Sequence, residues 1–172
     1  MQLNIVKLIC MPLVLVCACA VGCTMRGKLR ERLRLLESIC RLLRDMSGCV
    51  RSRLVPLGDM LDEIAENGDA PEFVCVCAQR LRDGDLFPEA WGFAVRCSRD
   101  AALLEEREQH RLEQLGGCLS MFSAEDELNV LEDARIFFAD RVTAAGDELR
   151  VKSRLYMSCS TLAGIMIVIM LI

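Results

Sequence analysis

The charges of this chain are confined to its middle, and that confinement limits what it can fold into more than any motif does. Of 21 basic and 25 acidic residues in a chain of 172, only Lys7 precedes Arg26 and none follows Arg154. Leu8 to Met25 reads LICMPLVLVCACAVGCTM, eighteen residues without a charge, and Leu3, Ile5 and Val6 extend the apolar stretch across Lys7. Tyr156 to Ile172 reads YMSCSTLAGIMIVIMLI and is also uncharged. A bilayer-spanning helix takes ~20 apolar residues, so both ends are expected to be membrane segments. The rival for the last run is a helix buried in a soluble core, but a run that is apolar on every side offers water no face.

Flanking charge sets the orientation. Arg26, Lys28, Arg30, Arg32 and Arg34 follow the first run, and Arg150, Lys152 and Arg154 precede the last. Basic residues beside a span stay on the cytoplasmic side. The expected organisation is therefore an N-terminal transmembrane anchor at 1–25, a cytoplasmic helical-bundle domain at 26–154 and a C-terminal transmembrane segment at 155–172. Two rivals concern the N terminus: a cleaved signal peptide with Lys7 as its positive end, and a lipoprotein cleavage box ending at Cys23. Either would make the chain an exported or lipid-anchored partner-binding domain, and the basic cluster after Met25 resists both. The eleven cysteines show no regular framework. A reducing cytosol would leave Cys40, Cys49, Cys75, Cys77, Cys97 and Cys118 as small apolar packing residues.

Between the apolar runs no period-two pattern is sustained, and helical spacing recurs between breakers. The fold class expected is all-α: a membrane-anchored helical bundle with long antiparallel first and last helices continuing into the transmembrane segments. Leu29, Leu33, Leu36, Cys40 and Leu43 line one face of a first helix that should end near Ser47 and Gly48. Short helices should follow from Pro56 to Asn67 and Gly68, from Pro71 to just before Gly84, and from Pro88 within LFPEAWGFAVRC. Ala101 to about Leu115, with its charged centre, reads as an exposed outer helix that Gly116 and Gly117 loosen or end. Ser123 with Asp126 resembles a capping box. From there Leu131, Ala134, Phe138, Val142, Ala145 and Leu149 continue without a breaker into the last run, a helix of up to ~49 residues.

Charge is layered along the middle as well. Residues 26–53 hold nine basic and three acidic side chains, 54–149 hold eight and 22, and 150–154 add three basic. The basic zones suit anionic headgroups of the lipid bilayer. They have no aromatic interleave, which speaks against nucleic acid. The acidic zone is either a solvated face, the heavier reading, or a docking face for a basic partner.

Chemistry is sparse. His110, the one histidine, lies in EEREQHRLEQ among Glu106, Arg107, Glu113 and Gln114, on what reads as a wet surface. Cys75 and Cys77 have no second pair at zinc-ribbon spacing, and on a helix they point about 200° apart. No phosphate loop or nucleophile elbow is present. Asp62 with Glu63, and Glu105 with Glu106, read as solvated helix faces, and Trp91 as a core anchor. The chain is expected not to be an enzyme, with no catalytic, cofactor-binding or metal residue, and binding residues are not identified.

The ordered features resemble a known family, stage III sporulation protein AB. They are a terminal anchor followed by basic residues, RLRLLESICRLLRDM as the first cytoplasmic helix, VPLGDMLDEIAE, FPEAW with Glu89, Ala90 and Trp91, and the closing STLAGIMIVIMLI. The chain departs in GGCLSMFSAEDELN, where Ser120, Ser123 and Glu127 stand at the family's Gly, Asp and Gln. The resemblance implies a non-enzymatic platform or scaffold similar to the inner-membrane platform protein of type II secretion and type IV pilus machines. Its expected place is the mother-cell membrane around the forespore, as part of a channel linking the two cells. The implied partners are the other stage III sporulation channel proteins, including a secretion-type assembly ATPase, together with the bilayer. A homo-oligomer is left open.

Overall fold

A computed structural model describes residues 2–52, 57–66, 70–119 and 124–171. Side chains are described for 24–52, 58–66, 70–119 and 125–153, and beyond these for Leu155, Ser158 and Leu162. The described residues are all helical or connecting: α1 (Gln2–Ser52), α2 (Leu57–Glu66), α3 (Glu72–Arg82), α4 (Phe87–Cys97), a 3-10 turn (Arg99–Ala102), α5 (Glu106–Cys118) and α6 (Ala124–Leu171). The chain divides into two compact units, Met1–Glu31 with Ala144–Ile172, and Arg32–Thr143.

Within Arg32–Thr143, α1 and α6 run antiparallel. Ser47 and Arg51 of α1 share a surface depression with Glu125, Leu128, Glu132 and Arg135 of α6, while Arg32 and Arg141 meet the same carboxylate. Helix α1 continues past the expected stop to Ser52, with Met46 buried and the Ser47 hydroxyl donating to the Leu43 carbonyl at 2.7 Å, which satisfies that hydroxyl within the helix. Its buried stripe is Leu36, Ile39, Leu43 and Met46, with Leu35 and Leu42 beside it. Cys40, expected on that stripe, is only half-buried. On α6 the expected stripe holds, with Leu131, Ala134, Phe138 and Ala145 buried.

The short helices follow their punctuation. Helix α3 ends on a Schellman turn, in which the Gly84 amide donates to Leu81 and the Asp85 amide to Arg80. Gly84 has φ of +98°, a conformation that costs any side chain. Pro71 gives α3 no side-chain cap. The Asp100 carboxylate supplies one from the 3-10 turn, accepting from the Phe73 amide at 3.0 Å, and Glu72 returns an acceptor to the Arg99 amide at 3.0 Å. Burial, together with the Glu72 charge, pushes the Asp100 carboxyl above its ordinary 3.8 despite those donors. The folded state therefore holds that proton more tightly than the unfolded one. The group's contribution is best below 3.8 and is lost as pH rises through the raised value. Asp100→Asn, which keeps an oxygen for Phe73, is expected to be at least as stable as the parent at pH 7, with the gap closing on acidification. Asp100→Ala should lose ~1 kcal/mol, read by chemical denaturation.

One expected element is corrected. Ala101 to Leu115 is not a single helix: the 3-10 turn ends at Ala102 and α5 begins at Glu106. Glu105 closes a capping box with Glu108, which fixes the start. Helix α5 is also not an outer helix, since Glu108, Leu112, Leu115 and Gly116 are buried, and both glycines lie inside it. The expected Pro56 start, the stop at Asn67 and Gly68, and the Ser123 cap lie outside the described residues.

Among the described residues no helix is long and apolar enough to cross a membrane. The side chains of both terminal apolar runs lie almost wholly outside those described.

Candidate functional site: a buried ion cluster and a basic collar

The polar centre of the Arg32–Thr143 unit is built on Glu108. It occupies the third position of α5, where a carboxylate can reach back to the helix start, and its Oε2 accepts from the Glu105 amide at 2.8 Å. Its side chain is 0% exposed. Two cations meet it from the long helices: the Arg32 Nη2 at 2.9 Å and the Arg141 Nε at 3.7 Å. Glu105, half-exposed, extends the cluster to Arg32 at 2.6 Å and to Arg141 at 3.8 Å. Burial alone would lower the Arg32 guanidinium, but the Glu108 charge and the hydrogen bonds that Arg32 donates to both carboxylates outweigh it and hold the group above its ordinary range.

Both arginines stand where an apolar residue would continue a seam. Arg32 lies four residues before Leu36, and Arg141 lies three after Phe138 and four before Ala145. The seam between α1 and α6 thus ends in charge, and α5 inserts the neutralising carboxylate. Sequence reading missed this because Glu108 sits in a charged run and counts as solvated. Its signal was present: two arginines interrupting apolar seams need an acid between them. Glu105, read as part of a solvated pair, is corrected to a member of this cluster.

Other expected sites fall apart spatially. His110 is exposed, and its Nε2 pairs with the Gln114 amide nitrogen at 3.0 Å. Cys75 is exposed while Cys77 is buried, and burial pushes the Cys77 thiol up to about 12. Asp62 meets Arg82 at 3.3 Å. Among the described residues no group of three metal-ligating side chains converges. Trp91 is the core anchor expected, 0% exposed, with its indole nitrogen donating to the Leu112 carbonyl at 2.7 Å.

The other unit carries the collar. Arg26 of α1 donates from Nε to the Ser153 hydroxyl of α6 at 3.1 Å. Around this junction Lys28 and Arg30 are exposed, and the Arg150 side chain is 86% exposed. Beyond it three of the exposed side chains are large and apolar, Val151 at 59%, Leu155 at 56% and Leu162 at 66%, with exposed Ser158 between the last two. These three lie four and seven residues apart, on one face of α6. Met25 adds a fourth from α1, at 48%. Leaving a large aliphatic side chain in water forgoes ~1.5–3 kcal/mol, so this face is built to be covered. Only Arg26, Lys28 and Arg30 of the 26–53 basic zone belong to this unit; Arg41, Arg44 and Arg51 lie in the other.

No curated protein and no solved structure matches the chain. A family model does, over residues 7–172, which takes in both long helices, the Glu108 cluster and the collar. The chain belongs to the stage III sporulation protein AB family.

Proposed function

We propose that this protein is a non-enzymatic membrane platform of a sporulation-specific, secretion-like channel between mother cell and forespore. Residues 1–25 and 155–172 anchor it in the mother-cell membrane, and residues 26–154 stand in the cytoplasm beside the assembly ATPase. The observation that carries the membrane half is the exposed apolar face of Val151, Leu155 and Leu162 beginning directly beyond exposed Arg150. Cations followed by outward aliphatics are what a helix needs where it passes from water through headgroups into lipid. Family membership supports the sporulation half. The ATPase half rests on the family's likeness to secretion and pilus platform proteins and on the acid excess of residues 54–149. A scaffold role is further supported by where the strongest polar group is spent: Glu108 joins three helices instead of facing a cleft.

The test uses the native thiols. Cys75 and Cys97 are exposed, so a membrane-impermeant maleimide is expected to reach them only after cells are opened. Cys77 should stay unlabelled until denaturation, because the thiolate is the reactive form and burial suppresses it. Whole-protein mass should show an uncleaved N terminus. Labelling of Cys75 and Cys97 in intact cells, or mass loss up to Cys23, would replace this reading with the exported or lipid-anchored domain. Copurification of the ATPase with the full chain is expected, and its clean absence removes the docking half alone.

A further inference from the structure

Helix α4 has a buried side and an exposed one. Ala90, Trp91, Ala94 and Val95 face the core, whereas Leu86, Glu89, Phe93 and Arg96 are exposed. The exposed four follow each other by three, four and three residues, so they form one stripe. Two of them are apolar and unusually open for a bundle surface, Leu86 at 68% and Phe93 at 38%. One ring face of Phe93 is already taken, with the Arg80 guanidinium 3.8 Å from its centroid and Arg80 itself held by Asp85 at 3.2 Å.

We infer that this stripe is where a second copy of the chain docks, in a two-fold antiparallel contact centred on Phe93. The charge pattern selects the occupant. Residues 54–149 as a whole are strongly acidic, yet the surroundings of Phe93 carry both signs, with Arg80 and Arg96 among Asp85, Glu89 and Glu113. A basic partner would meet arginines there and an acidic one carboxylates. A copy of the same face meets its complement, since Glu89 lies one turn before Phe93 and Arg96 one turn after it. A two-fold axis through Phe93 sets each Glu89 against the other copy's Arg96, forming the pair twice. Arg96 is free to make it, since its present partner Glu113 is 3.8 Å away and its side chain is 57% exposed. The face is one short helix wide and suits a weak contact. Two chains confined to one membrane meet at high effective concentration, which is the setting in which a small interface suffices.

The experiment is sedimentation of the full chain in detergent over a concentration series, with far-UV circular dichroism to verify folding. The parent is expected to dimerise reversibly. Glu89→Arg and Arg96→Glu should each weaken the dimer by at least about tenfold, because like charges then face each other twice. The double exchange Glu89→Arg with Arg96→Glu should restore it. Phe93→Ala should weaken it without any such rescue. A parent that stays monomeric throughout overturns the proposal, as does a dimer indifferent to the single exchanges, which would place the contact elsewhere. Failure of the double exchange to rescue overturns the Glu89–Arg96 pairing and with it the two-fold contact centred on Phe93.

Discussion

Glu108→Ala is expected to destabilise the Arg32–Thr143 unit by ~3–5 kcal/mol, the range for removing one partner from a buried ion cluster. The cost is not the loss of attraction alone. Arg32, with 18% of its side chain exposed, and Arg141, with 29%, would share the half-exposed Glu105 alone, with their buried carboxylate gone. Glu132→Ala is the contrast. Its pair with Arg135 is short, 2.5 Å, but both side chains are at least 38% exposed on one helix face, and water and salt screen such pairs until they contribute little. Distance therefore ranks the two pairs one way and burial the other, and burial should win. Denaturant unfolding followed by fluorescence of the single tryptophan, Trp91, reads both variants in the full chain. Replacing the whole cluster, with Arg32→Met, Glu108→Leu and Arg141→Met, should recover most of the loss, since apolar residues of similar volume tolerate that environment. A Glu108→Ala variant that unfolds with the parent would show the cluster open to water. Varying pH should not mimic the mutation through Arg32: a guanidinium held above its ordinary range keeps its stabilisation below the unfolded value and loses it only on rising through the folded one.

The elements were largely legible in the sequence because local signals set them. Pro71 and Pro88 open α3 and α4, Gly84 closes α3, and the α6 stripe from Leu131 to Ala145 has the helical period. What stayed hidden depends on partners distant in the chain. Glu108 is 76 residues from Arg32, and nothing local distinguishes it from exposed Glu106. Asp100 caps a helix that begins 28 residues earlier in the sequence. The stop expected at Ser47 and Gly48 failed because the burial of Met46 and Leu43 beside them offsets two poor helix formers. Gly116 and Gly117 failed for a different reason. Glycine in a helix reads as a weakness, and only the neighbouring helix reveals that one of the two is a requirement.

Those adjacent glycines should respond to alanine with opposite signs. In a helix interior alanine is favoured over glycine by up to ~1 kcal/mol, since it has less backbone entropy to lose. At Gly117 a Cβ would meet nothing within 4 Å, so Gly117→Ala is expected to stabilise by about that amount. At Gly116 the same atom would lie 2.4 Å from Cδ1 and 2.8 Å from Cγ of Trp91. Trp91 cannot yield cheaply. Its indole nitrogen is tied to the Leu112 carbonyl at 2.7 Å, and Phe73 and Phe87 flank it with centroids 5.5 Å away. Either the ring moves and orphans a buried donor, or α5 lifts off α4 and opens the core. Overpacking of this kind with a lost buried hydrogen bond costs ~2–4 kcal/mol, which reverses the helical gain. Trp91→Ala alone should cost ~3–5 kcal/mol. In that background Gly116→Ala should cost much less, because Cδ1 and Cγ are gone and only the Cβ of residue 91, 3.0 Å away, is still approached, and this departure from additivity isolates the contact. Unfolding followed at 222 nm suits all four variants, since Trp91 is itself changed in two of them. Because this close approach sets how deeply α4 seats on α5, Gly116→Ala should also displace the Leu86, Phe93 stripe and weaken self-association, whereas Gly117→Ala should leave it intact. If Gly116→Ala and Gly117→Ala raise stability equally, the helices are not in contact at Trp91 and the placement of the α4 stripe must be redrawn.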